Sequence, residues 1–355
     1  MMYAAVLHGI NDIRYGQVAL PDLGNDDVLI RVKAAAVCGS DVPRVKTKGT
    51  YHFPTIPCHE FSGDIAKVGK NVASVKPHER VAVFPLIPCG NCTLCKEHKP
   101  NLCDNYNYLG SRCDGAFAEY VKCPAANVLK IPDTVSYKQA SLIEPMAVAL
   151  RGTRQAGVTS STKVVVFGMG TLGLGAVQWA KLFGSPLVVG VDRNSHKLAI
   201  AKKIGADYVI DSGEDDSREE SYEKKIRDLF GKDGPDVVLE CSGANAFQNV
   251  AIKLVKKSGT ISLLGNPQGE TSFSEKTFQE ILRKELTIRG VWNSLIHLEN
   301  NEWDFVIKNI AAGNIDPARI ITHTFSLRDA KKVFDDLHER NVEGYCKGIF
   351  LVNQE

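Results

Sequence analysis

Between Val37 and Gly63 the chain sets a thiol and an imidazole apart by a loop. It reads Val37-Cys38-Gly39-Ser40-Asp41, then a basic run, then Cys58-His59-Glu60-Phe61-Ser62-Gly63. A soft thiolate and a neutral imidazole are natural zinc ligands. A third partner stands far downstream at Glu144, in Leu142-Ile143-Glu144-Pro145. Three protein ligands leave a fourth tetrahedral position for water or a substrate oxygen, the arrangement of a catalytic zinc rather than a structural one. A metal so held lowers the pKa of a bound hydroxyl. Ser40 is close enough in sequence to take or pass the proton. Glu60 is placed to orient His59 or to enter as a temporary ligand. Single cysteines and histidines are more often core or surface residues than ligands, so the remaining motifs have to decide.

The second constellation is Cys89-Gly90-Asn91-Cys92-Thr93-Leu94-Cys95, followed by Cys103. Four thiolates at this spacing can close around one tetrahedral zinc. The competing reading is an iron–sulfur cluster, but ferredoxin-type runs place the fourth cysteine nearer and follow it with proline. Here the gap is longer and Asp104 follows. A zinc at Cys89, Cys92, Cys95 and Cys103 would staple a lobe, about 86–106, that lacks a core of its own.

The third is a strand–turn–helix pattern. Lys163-Val164-Val165-Val166-Phe167 runs into Gly168-Met169-Gly170-Thr171-Leu172-Gly173, and an apolar helix pattern follows. A glycine triplet is weak evidence unless it sits between a buried strand and a helix, as it does here. Gly168 permits the turn, Gly170 lets backbone approach a pyrophosphate, and Gly173 allows close helix–strand packing. Thr171 and Leu172 then offer the helix N-terminus to phosphates. The next strand, Leu187-Val188-Val189-Gly190-Val191, ends at Asp192, a carboxylate that accepts from ribose hydroxyls and repels a 2′-phosphate. NAD is therefore expected over NADP, although Arg193 is of the type that binds that phosphate. Lys197 reaches toward the ribose region or is a solvated helix lysine. Ser242, Gly243, Leu264 and Gly265 fall at carboxyl ends of later strands, where such sheets bind ligands.

The elements that must position these groups follow from periodicity. Short β-type runs separated by Gly, Pro and Asn-Asp clusters fill the first part, which predicts a compact, mostly antiparallel β domain. From about 154 to 289, some six strands alternate with helices, which predicts a doubly wound parallel sheet. Glu302 to Ala312 and Leu327 to Leu337 read as helices. Gly348 to Val352 reads as a strand that returns to the first domain. The expected division is 1–153 with 290–355, and 154–289. The acidic run 213–217 reads as a solvated loop.

Composition sets bounds. The chain has 355 residues, 44% hydrophobic and 24% charged, enough for two cores. Lys+Arg 43 against Asp+Glu 41 gives net charge +2, which supports neither nucleic acid nor a membrane surface as main partner. No run approaches a membrane span, and the N-terminus does not resemble a secretion signal. Ten cysteines, four of them crowded together, point to metal ligation in a reducing cytoplasm.

In their order, Cys38-Gly-Ser-Asp, His59-Glu60-Phe-Ser-Gly, the cysteine lobe, Glu144-Pro145 and the glycine turn resemble the zinc-dependent medium-chain dehydrogenases. The resemblance covers essentially the whole chain and lies nearest the polyol dehydrogenase branch. It implies a GroES-like catalytic domain, a Rossmann coenzyme domain, a cleft between them, two zinc ions per chain, NAD, and dimers or tetramers. Alcohol dehydrogenases of the family usually carry cysteine where Glu144 stands, and a carboxylate there resembles the polyol branch. They also often carry a relay histidine where this chain has Pro43, so any relay differs. The substrate expected is a polyol or polyol phosphate. Arg44, Lys46, Lys48 and Arg112 are either its phosphate contacts or ordinary surface cations. Threonine dehydrogenation, a zinc-dependent nucleic-acid module and a non-catalytic binding protein are the competing classes. Balanced charge and the glycine turn oppose the nucleic-acid module.

Overall fold

The computed structural model describes residues 1–213, 218–296 and 301–353, with the backbone alone described for 218–221. The acidic run at 214–217 thus lies outside the described residues. The chain divides into two units, Met1–Glu144 with Ser294–Glu355, and Pro145–Asn293.

The first unit is mostly antiparallel. Its large sheet has the spatial order Ile321–Ser326, Lys347–Leu351, Asp27–Ala36, Glu60–Val68, Arg80–Val83 and Val128–Lys130, with Tyr120–Pro124 also paired to Asp27–Ala36. The hydrophobic-in pattern sets the register. Along Asp27–Ala36, Val28, Ile30, Val32, Ala34, Ala35 and Ala36 are all fully buried. A hairpin of Met2–Gly9 and Asp12–Val18 covers the core, which includes Leu7, Ile65, Phe117, Phe334 and Phe350. The C-terminal strand does return: Ile349, Phe350 and Leu351 pair antiparallel with Ala36, Ala35 and Ala34. The helix Glu302–Ala311 turns Trp303, Val306, Ile307 and Ile310 inward as its period requires.

The second unit is a doubly wound parallel sheet. Its six strands lie in the order Tyr208–Asp211, Val188–Asp192, Val164–Phe167, Val237–Glu240, Thr260–Leu263 and Thr287–Gly290, every pair parallel. Val164–Phe167 is buried along its whole length because helices cover both faces. The helix Ile143–Gln155 belongs mostly to this unit. Trp179 Nε1 donates to Met146 O at 2.9 Å, and a Cβ at Gly152 would lie 2.3 Å from the Leu264 side chain.

Candidate metal and coenzyme sites

Strand pairing brings three remote segments of the first unit together. Ala36 ends its strand opposite Glu60 on one side and Ile349 on the other. Cys38 follows just beyond that end, Glu60 opens the neighbouring strand, and Lys347 opens the third. One ligand atom each of Cys38, His59 and Glu60 lie within 4.8 Å of one another. His59 Nδ1 is buried with no hydrogen-bond partner. A buried polar atom left unpaired is costly, and a metal ion would satisfy it. Thiolate, imidazole and carboxylate are a zinc-type donor set, so the residues present fit the ion.

Glu60, not Glu144, is the carboxylate in this converging group. Neighbouring side chains on a regular strand point to opposite faces. Here the chain enters its strand irregularly, through Cys58 at φ 91°. The loop 110–115 packs against that residue. A Cβ at Gly115 would lie 2.0 Å from Cys58 O, so only glycine fits there. Glu144 stands nearby at the start of its helix, where its Oε1 accepts from the Tyr108 hydroxyl at 3.3 Å. The Tyr108 ring meets that of His59 edge-on, with centroids 5.5 Å apart. Burial pushes the Glu144 carboxyl up to about 7; His59 pulls it down and Glu60 pushes it up.

Three surrounding residues escaped the sequence reading. Asp41 is fully buried and accepts from Cys38 N at 3.0 Å. It also pairs with Arg44, and lies 3.9 Å from His59 Nδ1. The Lys347 ammonium is 2.5 Å from the Glu60 carboxylate, and both side chains are 1% exposed. Tyr108 is the third. Ser40 Oγ donates to Cys38 Sγ at 3.3 Å. Burial, followed by the charges of Glu60 and Asp41, pushes the Cys38 thiol well above its ordinary range, while Lys347 and the Ser40 bond oppose them. A metal binding here would take the place of the thiol proton.

In the cysteine lobe the sulfurs of Cys89, Cys92, Cys95 and Cys103 lie within 4.8 Å of one another. Backbone N–H groups point at them: Cys92 N donates to Cys89 Sγ at 3.4 Å, and Cys89 N to Cys103 Sγ at 3.3 Å. The Cys92 thiol is held down to about 6, chiefly by the backbone N–H of Cys95 and then that of Asp104. The Cys89 thiol is lowered too, chiefly by the backbone N–H groups of Asn91 and Cys92, and four converging thiols suit a closed tetrahedral site.

The four candidate substrate cations do not form one free cluster. Arg44 is tied to Asp41, and Lys46 Nζ donates to Asp335 Oδ1 at 2.5 Å. Lys48 is exposed at the end of the 44–48 turn. The Arg112 guanidinium lies between the Tyr51 and Tyr106 rings, 4.2 and 4.4 Å from their centroids. That stacking is worth about 0.5–2 kcal/mol and fixes the plane of the fork.

In the second unit, Gly168 and Gly173 are required by close packing. A Cβ at Gly173 would lie 1.8 Å from Gly168 O, and one at Gly168 would lie 2.8 Å from Ser242. Gly170, which caps the helix Thr171–Leu182, has no protein atom within 4 Å of the same position. The space and the unpaired helix N–H groups beside Thr171 and Leu172 fit a pyrophosphate. The Asp192 carboxylate accepts from Met169 N at 2.6 Å and from Asn194 N at 2.9 Å, so it also braces the turn. Arg193 is exposed beside it, and Lys197 donates its backbone N–H to the Asn194 cap. Glu240, also unforeseen, is fully buried and accepts from the N–H groups of Ser242 and Gly243 at 2.8 and 3.0 Å. Leu264 and Gly265 close the same corner, where a Cβ at Gly265 would lie 2.1 Å from Gly243 N. No helix among the described residues is long and apolar enough to cross a membrane.

Residues 24–133 match the alcohol dehydrogenase GroES-like domain, and residues 171–312 the zinc-binding dehydrogenase family. The chain is 33% identical over 339 residues to a sorbitol dehydrogenase of Bacillus subtilis, covering 94% of this chain and 93% of that protein. It is 30% identical over 335 residues to galactitol 1-phosphate 5-dehydrogenase of Escherichia coli K12, covering 94% and 95%. The crystal structure of galactitol-1-phosphate dehydrogenase from Escherichia coli superposes with a TM-score of 0.90 at 29% identity, covering 99% of this chain and 100% of that one.

Proposed function

The chain belongs to the zinc-binding dehydrogenases, in their polyol dehydrogenase group, and from that membership we propose that it oxidises a secondary hydroxyl of a polyol or polyol phosphate to the ketone, with NAD as acceptor. Galactitol 1-phosphate, giving tagatose 6-phosphate, is the favoured substrate. Free sorbitol-type polyols, ribitol 5-phosphate and threonine are the alternatives within the family. The observation that carries the reading is the convergence of Cys38, His59 and Glu60 in a chain that also bears the glycine turn.

Cys38, His59 and Glu60 would hold the catalytic zinc, with Glu144 as the adjoining carboxylate and Lys347 fixing Glu60. Cys89, Cys92, Cys95 and Cys103 would hold a second, structural ion. Bound zinc supplies Lewis acidity toward the substrate hydroxyl, and a bound nicotinamide dinucleotide supplies the hydride acceptor. Within the chain, Glu144 is a buried carboxyl beside this group, bonded to the Tyr108 hydroxyl and raised above its ordinary range by burial. Ser40, whose hydroxyl donates to Cys38 Sγ, is placed beside the ligand to take or pass the hydroxyl proton. Glu240 and Asp192 hold the two loops of the coenzyme turn.

Arg112 is the substrate candidate with its fork held in place by stacking. It favours an anionic end on the substrate, whereas the carboxylates on Arg44 and Lys46 weigh against a wider phosphate site. Comparing turnover on galactitol 1-phosphate, galactitol, sorbitol and ribitol 5-phosphate tests this directly. Equal turnover of free and phosphorylated polyols refutes the phosphate assignment. The four-thiolate group needs reduced cysteines, which suits the cytoplasm. The edge strand Thr287–Gly290 is exposed at every residue beside exposed Phe278, Leu282 and Trp292. Such an edge favours pairing with a second copy, hence a homodimer or a dimer of dimers.

A further inference from the structure

Arg112 and the cysteine lobe share a residue, Tyr106. The Arg112 guanidinium lies between the Tyr106 and Tyr51 rings, and its loop is pinned to the segment that carries His59. Gly115 N donates to Ile56 O at 2.7 Å and Ala116 N to Cys58 O at 3.1 Å, while His52 Nε2 lies 3.2 Å from Arg112 O. Arg44 and Lys46 bond to carboxylates. Arg112 instead donates from Nη2 to a neutral hydroxyl, that of Tyr51 at 3.3 Å, and its Nε is buried without a partner. Its charge is therefore left for a ligand. A row of rings leads from the fork to the metal-ligand group. Tyr106 meets Tyr108 edge-on with centroids 6.2 Å apart, and Tyr108 meets His59 at 5.5 Å.

No helix or strand holds Tyr106. It ends the short link Asp104-Asn105-Tyr106, which runs from the last lobe thiol, Cys103, to a ladder in which Ile87 pairs with Asn107 and Leu86 with Tyr108. The ladder fixes one end of the link. The four-thiol group fixes the other, where the Asp104 N–H points at Cys92 Sγ. So short a link, clamped at both ends, has little conformational freedom, whereas releasing the lobe end lets the ring swing off the guanidinium. An arginine that must be ordered on binding costs affinity, and stacking it beforehand removes that cost.

On the phosphate reading proposed above, we infer that the cysteine lobe sets substrate specificity as well as stapling the fold: through Tyr106, a positioning residue, it holds the Arg112 fork for the phosphoryl end of the substrate. The test compares galactitol 1-phosphate with galactitol, by steady-state kinetics and by calorimetric binding to the zinc-loaded protein saturated with NADH, where no turnover occurs. The proteins are wild type, Arg112→Gln, Tyr106→Leu, Tyr106→Phe, and a chain with one glycine inserted between Asp104 and Asn105, which keeps all four thiols but slackens the link. Tyr106→Leu and the insertion should each raise KM for galactitol 1-phosphate roughly 10-fold and weaken its binding to match. Zinc content, kcat and the constants for galactitol should stay near wild type. Tyr106→Phe keeps the ring face and should restore the wild-type KM. An unmoved KM for galactitol 1-phosphate in Tyr106→Leu or in the insertion, or an equal rise for both polyols, overturns the inference; the phosphate reading then still stands if Arg112→Gln alone abolishes the preference. A wild type that handles the two polyols alike, with Arg112→Gln without effect, refutes the phosphate reading and the inference with it.

Discussion

Replacing Lys347 by Met strips the ammonium from Glu60 while keeping much of the side chain's length. The two groups are 2.5 Å apart and each is 1% exposed, so water cannot take over the lost partner. The stranded carboxylate would also sit near two other acids, Asp41 and Glu144. Removing one member of a buried pair costs about 3–5 kcal/mol, whereas replacing both by neutral groups of similar size is often nearly neutral. Lys347→Met should therefore lose about 3–5 kcal/mol, and Glu60→Gln/Lys347→Met should recover most of it. The assay is urea unfolding of chelator-treated protein, followed by emission of Trp303. That residue is buried in the catalytic unit and packs against Phe84 with ring centroids 5.7 Å apart. A Trp179→Phe/Trp292→Phe background isolates its signal. A loss under about 1 kcal/mol for the single variant, or a double variant as unstable as the sum of both singles, refutes the reasoning.

Other outcomes follow from the same geometry. The Glu144 carboxyl has a folded-state pKa raised from 4.5 to about 7. Its contribution to metal-free stability is therefore fully present below pH 4.5 and is lost as pH rises to about 7, by at most about 3 kcal/mol. Glu144→Gln should flatten that window in urea titrations, and an unchanged pH profile contradicts the burial argument. Asp192→Ser should raise the KM for NAD roughly 10- to 100-fold relative to NADP, as expected for losing bonds to a charged acceptor; steady-state kinetics with both coenzymes decides. Leu282→Glu/Ile288→Lys should shift the proposed homo-oligomer toward monomer in light scattering, and an unchanged mass rules out the exposed edge as the interface. Cys92→Ser should release the firmly held metal and lower the melting temperature of the catalytic unit, and an unmoved melting curve argues against a stapled lobe.

Features whose physics is local were legible from sequence. The strand–glycine turn–helix at 163–182 announces itself because packing forbids a Cβ at Gly173, and the cysteine lobe because four thiols fall within one short segment. The architecture of each unit follows from period-2 and period-3.6 patterns. Features made by long-range pairing were not legible. Lys347 reaches Glu60 only because Ile349 pairs with Ala36, and nothing near residue 347 signals a buried cation. Arg44, Lys46, Lys48 and Arg112 read as either phosphate contacts or surface cations, and nothing near Lys46 announces that its partner is Asp335, 289 residues away. Glu60 joins the converging group just past Cys58, whose φ is 91° and against whose carbonyl Gly115 packs, more than fifty positions downstream. Asp41 stood inside the motif, but its bonds to Cys38 N and Arg44 are tertiary facts.

The central claim is best tested by zinc analysis of purified wild type, Cys38→Ser and Glu60→Gln proteins, with turnover and NAD binding measured on the same samples. Wild type should carry two zinc ions per chain. Cys38→Ser should keep one firmly held ion, with activity abolished and NAD binding intact, and Glu60→Gln should hold a readily chelated second ion. Two tightly held ions and undiminished turnover in Cys38→Ser would contradict it.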